Sequence, residues 1–263
     1  MTKLLHIGLG KCASSFLQHE IFPRIGREYN ISYNPSIFLQ QTKKNFKFHI
    51  FEDVKDFQKN LPNNFILSYE DLFSKEWEFS RINKSFEYIK NNFSNDTVVL
   101  IIIRNPYDLL SSIFCESIEK IMYVDPKNFF YNENIDNIRF NGKFNLYNFD
   151  YNKLISLYKS YFKKVIVVKY ENLNDLNFLK KIFDINYDII KKFNIKNKIQ
   201  NRSLSEVEIK SLIFLNKILG NKKSIKFLRK TYLKLIMKLL PYKKYYFNKN
   251  FIPIDINNQI SEY

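Results

Sequence analysis

Four short apolar runs set the rhythm of the chain: Lys3–Ile7, Asn64–Glu70, Val98–Ile103 and Lys164–Tyr170. Each is mostly apolar, the last three rich in β-branched or aromatic residues, and gives way to polar or turn-forming ones, the pattern of a strand. The run from Val98 has no polar interruption, as expected for a central parallel strand covered on both faces. Between the runs the period changes. Phe16, Leu17 and Ile21 fall on one helical face just after the first run, and Ile82, Phe86 and Ile89 do so within 80–93. A further helix is expected around Asp150–Phe162. Strand alternating with helix predicts an α/β chain: a three-layer P-loop-like fold with a central parallel sheet and a helical C-terminal part. The whole of 1–263 reads as one domain, with about 200–263 as a helical extension. In that extension Ser205-Glu206-Val207-Glu208 has the form of a capping box. Ile225–Tyr246 reads as a basic amphipathic helix ending in Pro241 and an aromatic-basic cluster. Residues 24–64 show little beyond turns at Pro35 and Pro62 and a short helix at Asp53–Lys59. Residues 124–148 are polar, aromatic-studded and without a clear period, so their rings would either stack on a ligand or pin the segment to the core.

The strand-to-helix junctions carry the chemistry. After the first strand comes Gly8-Leu9-Gly10-Lys11-Cys12-Ala13-Ser14-Ser15. Glycines allow close backbone approach to an anion, the first free N–H groups of the helix point at it, and the helix dipole favours its charge. Lys11 adds an ammonium, and Ser14 and Ser15 add hydroxyls. The loop departs from the nucleoside-triphosphate motif, because Leu5 stands where its first glycine belongs and Cys12 follows the lysine. After the third run comes Arg104-Asn105-Pro106-Tyr107-Asp108-Leu109-Leu110-Ser111-Ser112. Asn105, Pro106 and Asp108 are helix-start residues. They do not account for an arginine that ends a central strand.

Together the two segments resemble the donor-binding motifs of sulfotransferases that use 3'-phosphoadenosine 5'-phosphosulfate (PAPS). The family loop reads Gly-x-Pro-Lys-[Thr/Ser]-Gly-[Thr/Ser]-[Thr/Ser]-x-x-Leu. Gly8, Lys11, Ser14 and Ser15 keep that pattern and Leu17 stands one residue before its leucine, while Gly10, Cys12 and Ala13 depart from it. The second motif, Arg-Asn-Pro-x-Asp-x-x-x-Ser, is matched by Arg104 through Ser112. The resemblance covers 1–20, 64–73, 96–115 and 164–205. It implies that the loop from Gly8 to Ser15 holds the 5'-phosphosulfate and that Lys11 steadies the leaving oxygen. It implies further that Arg104 and Ser112 hold the 3'-phosphate, a task suited to a bidentate guanidinium. Glu70, at a strand end, is the first candidate general base and His6 the second. Tyr170 becomes a candidate adenine contact, and Arg202, in Asn201-Arg202-Ser203, a second grip on the 3'-phosphate. The late Arg-Lys-Gly-x-x-Gly loop of many cytosolic members has no match in this chain.

Composition narrows the reading without deciding it. Lys and Arg number 42 against 26 Asp and Glu, a net +16. Such a charge favours polyanions, although the general abundance of Lys, Asn, Ile, Phe and Tyr accounts for part of it. Two cysteines, Cys12 and Cys115, form no disulfide framework or metal set and suit a reducing, cytoplasmic setting. No apolar stretch approaches the roughly 20 residues of a bilayer span, and no secretory leader is expected, since the sequence as it stands runs straight into the first strand. The basic C-terminal helix leaves contact with an anionic membrane open. The acceptor is expected to be a carbohydrate hydroxyl, and no nucleic acid or metal is expected. A P-loop-type nucleotide kinase and a non-catalytic polyanion binder remain as alternatives. Against the kinase stands Arg104, which occupies the strand-end position where such enzymes carry a Mg²⁺-binding aspartate.

Overall fold

The computed structural model describes residues 2–36, 61–72, 82–119, 125–133, 144–147, 149–183, 204–219 and 242–252. The chain forms an α/β structure around a five-stranded parallel sheet with helices packed on it, in keeping with a three-layer P-loop-like fold. It divides into two compact units, one of Met1–Asn105, Asn148–Gln200 and Gln259–Tyr263, the other of Pro106–Tyr147 and Asn201–Asn258.

The first unit holds the sheet. Its strands are β1 (Lys3–Ile7), β2 (Ser32–Tyr33), β3 (Phe65–Tyr69) and β4 (Val98–Ile103), together with Lys164–Lys169. With the last strand numbered β7 in chain order, the sheet order is β2-β3-β1-β4-β7. The four longer strands coincide with the four apolar runs. Residues Ile101, Ile102 and Ile103 are 0% exposed, as a strand covered on both faces requires. β2 was not legible, because two half-buried residues at a sheet edge show no period.

A helical run follows β1: α1 (Ser14–Phe16), a π-helical segment Leu17–Ile21 and α2 (Phe22–Glu28). The π segment has a local cause. Pro23 can donate no N–H, and its ring crowds the carbonyl four residues back, so the helix widens by one residue there. The Phe22 N–H accordingly donates to the Leu17 carbonyl. α2 packs on β2 and β3. On the other side, α3 (Ile82–Asn92) and the helix Tyr151–Lys159 pack on each other, and the latter also on β4 and β7. Right-handed crossovers require this arrangement. The connection leaving β1 runs toward β2, whereas the connection from β3 runs across β1 to β4, so their helices cover opposite faces. Asp150 caps the helix at Tyr151, its carboxylate accepting from the Asn152 and Lys153 N–H groups at 2.8 and 3.1 Å.

In the second unit, α4 (Pro106–Glu119) precedes a parallel pair of two-residue strands, β5 (Phe130–Tyr131) and β6 (Phe144–Asn145). With the helix Tyr151–Lys159 as α5 and Phe178–Phe183 as α6, α7 spans Glu206–Leu219. The capping box forms as expected. Glu208 Oε2 accepts from the Ser205 N–H at 2.6 Å, and Ser205 Oγ from the Glu208 N–H at 3.3 Å. Phe129, Phe130 and Phe144 are buried, and with Phe114 and Phe247 they form edge-to-face contacts. Of the two readings of 124–148, Phe129, Phe130 and Phe144 follow the pinning one. The expected helix Ile225–Tyr246 differs at its end. Residues 242–246 run irregularly, and Lys244 makes an antiparallel bridge with Ser205. A residue paired in such a bridge takes extended backbone, which a helix does not offer. The rest of that helix, Asp53–Lys59 and Arg202 lie outside the described residues.

Candidate functional site

The central strand β1 leaves the sheet toward one face and its neighbours β3 and β4 toward the other, which opens a crevice at their carboxyl ends. Register decides what meets there. Ile7 pairs with Tyr69 and with Ile101, and Ile103 pairs with Lys169. The next residues along are therefore Gly8 beside Glu70, and Arg104 beside Tyr170. The first unit thus gathers the Gly8–Ser15 loop, Glu70, Arg104 and Tyr170 at one edge of the sheet.

Gly8 is required by close approach. A Cβ on it would lie 3.0 Å from Glu70 Cα, 3.3 Å from Glu70 N and 3.2 Å from Ser14 Oγ. Two of those atoms are backbone and cannot swing aside. Gly8→Ala is expected to destabilise the protein by about 1–3 kcal/mol through overpacking, read by urea denaturation. Unchanged stability would mean that the ends of β1 and β3 can part freely.

Beyond Gly8 the loop curls on itself. Leu9, 2% exposed, anchors it in the core. Its carbonyl accepts from the Cys12 N–H at 3.2 Å and from Ser14 Oγ at 3.1 Å. Lys11 and Ala13 both adopt left-handed backbone, with φ of 64° and 60°. Neither is glycine, so each costs on the order of 1–2 kcal/mol that the surroundings must offset. Left-handed residues in a turn can aim neighbouring N–H groups at an anion; here the Cys12 N–H between them is turned inward to the Leu9 carbonyl. Left-handed backbone at Ala13 was not foreseen, although the loop that this segment resembles carries glycine at that place, a signal that could have pointed to it.

Arg104 holds this loop from the neighbouring strand. Its Nη1 donates to the Lys11 carbonyl at 3.0 Å, across 93 residues of sequence. The guanidinium carbon lies 4.7 Å from the centre of the Tyr170 ring. Arg104 is only 8% exposed, and its Nε has no partner. No carboxylate forms an ion pair with it among the described residues. A buried guanidinium that no carboxylate contacts directly among the described residues is costly unless further hydrogen bonds complete it. The Arg104 carbonyl is itself fixed, accepting from the Tyr151 hydroxyl at 3.1 Å. Tyr151 is 0% exposed and was not foreseen, because a tyrosine opening a helix carries no distinguishing pattern.

The remaining candidates divide. Cys12 is fully buried, and burial pushes its thiol up to about 12, opposed by Arg104 and reinforced by the Glu171 and Glu70 carboxylates. With its N–H committed to Leu9, Cys12 shapes the loop from inside. Ser14 does likewise through its hydroxyl, while Ser15 is half-buried and Gly10 lies in the turn. His6 is 0% exposed, hydrogen-bonded through Nδ1 to Ser68 Oγ at 2.6 Å and edge-on to Phe22. Burial lowers it to about 3, so it stays neutral inside the sheet as a brace between β1 and β3 and reaches no solvent. Glu70 opens a 3-10 turn, Glu70–Leu72, and is half-buried beside Gly8. Tyr170 turns its ring to Arg104, and it is 37% exposed. Ser112 is half-buried on α4, in the second unit.

Comparison with family models, with curated protein sequences and with solved structures finds no match to this chain. Among the described residues no helix is long and apolar enough to cross a membrane.

Proposed function

We propose that this chain is a PAPS-dependent sulfotransferase, moving a sulfuryl group to the hydroxyl or amine of an acceptor, with carbohydrate as the acceptor class. The observation that carries this reading is the bond from Arg104 Nη1 to the Lys11 carbonyl. It joins the two motifs at one strand end, as a ligand with two separate anionic groups requires. A curled loop with Lys11 and half-buried Ser15 meets one group, and a buried guanidinium with a bare Nε meets the other.

The donor supplies an activated sulfuryl group on a phosphate oxygen; the rest falls to the chain. Catalysis of such a transfer is mostly positioning and charge stabilisation. Lys11 stabilises the oxygen released when the sulfur–oxygen bond of the donor breaks. Glu70, next to Gly8, takes the proton of the acceptor hydroxyl as the new sulfur–oxygen bond forms. His6 has no part in this, being neutral and enclosed. The reading goes with a cytoplasmic, reducing setting, in which the free and buried Cys12 and Cys115 remain thiols.

The test is calorimetric titration with adenosine 3',5'-bisphosphate, with ATP as competitor, in the presence and absence of EDTA. Metal-independent binding is expected, with Arg104→Ala weakening it roughly tenfold to hundredfold, as for loss of a charge-assisted contact. A preference for ATP with Mg²⁺ would instead return the chain to the nucleotide kinases. Binding of any polyanion, steeply salt-dependent and indifferent to Arg104→Ala, would make it a polyanion binder.

A further inference from the structure

Tyr170 follows β7 directly, and the pairing of Ile103 with Lys169 brings it beside Arg104. An arginine side chain with one hydrogen bond and several rotatable bonds gains entropy by swinging into water. Among the described residues Arg104 has that single bond, to the Lys11 carbonyl, yet it is only 8% exposed. The Tyr170 ring, whose centre lies 4.7 Å from the guanidinium carbon, is placed to oppose its release. Glu171, the next residue, accepts from the Asn105 N–H at 3.5 Å. Both residues at the end of β7 are thus turned to the Arg104–Asn105 segment.

We infer that Tyr170 is a positioning residue, whose ring keeps Arg104 locked on the Lys11 carbonyl and so holds the left-handed loop in its anion-binding shape. The inference rests on the proposed function only for what the loop binds. Its force comes from the strain at Lys11 and Ala13, two non-glycine residues at φ 64° and 60°. Such a backbone persists when its surroundings over-determine it. Among the bonds that curl the loop, those of Leu9 are internal to it. The Arg104 bond ties it to another strand. Removing the platform under Arg104 therefore acts on the loop without touching it.

Hydrogen exchange of the segment Leu9–Ser14 in the ligand-free protein tests the lock, alongside titration with adenosine 3',5'-bisphosphate. Tyr170→Leu is expected to raise exchange of that segment about fivefold, the worth of a partly exposed cation–π contact. It is expected to weaken the nucleotide by a similar factor. Tyr170→Phe should behave as wild type in both, since the ring face is what matters. In an Arg104→Ala background, Tyr170→Leu should add nothing further. Additive losses, or weaker nucleotide binding with loop exchange unmoved, would overturn the inference and make Tyr170 a direct ligand contact. An equal rise in exchange at Val98–Ile103 would also overturn it, by making the effect a general loosening. If wild type binds no adenosine 3',5'-bisphosphate, the proposed function falls, and loop exchange alone still decides the role of Tyr170.

Discussion

Replacing Lys11 by alanine is expected to cut the rate of the proposed sulfuryl transfer by about 10²–10³-fold, the cost of losing one stabiliser of developing charge. Affinity for adenosine 3',5'-bisphosphate should stay within about tenfold of wild type, because the ammonium acts most on the oxygen whose charge grows during the reaction. The substitution is a clean one in this fold. Residue 11 already adopts left-handed backbone at φ 64° with a side chain on it, and alanine meets much the same strain there as lysine. Arg104 bonds to the carbonyl of residue 11, which alanine keeps. Loop geometry should therefore survive while the charge is lost. Initial rates with saturating donor, beside calorimetric affinity, separate the two effects. A variant with an unchanged rate would remove Lys11 from the chemistry, and one that fails only in binding would make it a ground-state anchor.

Acidification is expected to destabilise the protein through His6, with a loss of about 2 kcal/mol between pH 6.5 and pH 5. Burial sets the folded-state value near 3 against 6.5 in the unfolded chain. Above pH 6.5 the imidazole is neutral in both states and costs nothing. As pH falls below 6.5 the unfolded chain takes up a proton that the folded one refuses, so the unfolded state gains. The loss grows by about 1.4 kcal/mol per pH unit and levels off only near pH 3, where the folded imidazole also protonates. Among the described residues the ring of His6 meets the Phe22 edge and Ser68 Oγ, neither of them charged, and Nε2 has no partner. Urea denaturation at pH 7 and pH 5, for wild type and His6→Gln, isolates this contribution from the other histidines. The variant should lose about 2 kcal/mol less between the two pH values. Parallel losses would mean that His6 carries its proton in the folded protein.

Much of the fold was legible because it is written in local patterns. The runs at Lys3, Asn64, Val98 and Lys164 became β1, β3, β4 and β7, since buried β-branched strands have few other ways to hide their side chains. Caps at Asp150 and Ser205 formed where short polar side chains precede apolar periodic segments. Ser32–Tyr33 and the π segment Leu17–Ile21 left no such mark. The first is a strand only because β3 lies beside it, and the second arises where Pro23 interrupts an otherwise ordinary helix.

For the site, the chain alone determined which residue types stand at which junctions: a lysine and two serines after one strand, an arginine after another. Tertiary structure decided what they do to each other. Sheet order put β4 beside β1, and register then set Arg104 against a loop 93 residues earlier. The same register gave Arg104 its platform in Tyr170 and enclosed His6 against Ser68. Burial turned Cys12 and Ser14 inward to brace the loop. Sequence encodes periodicity and capping because those are interactions among near neighbours. Strand order and register are global outcomes of how several buried faces are covered together, and only the folded chain expresses them.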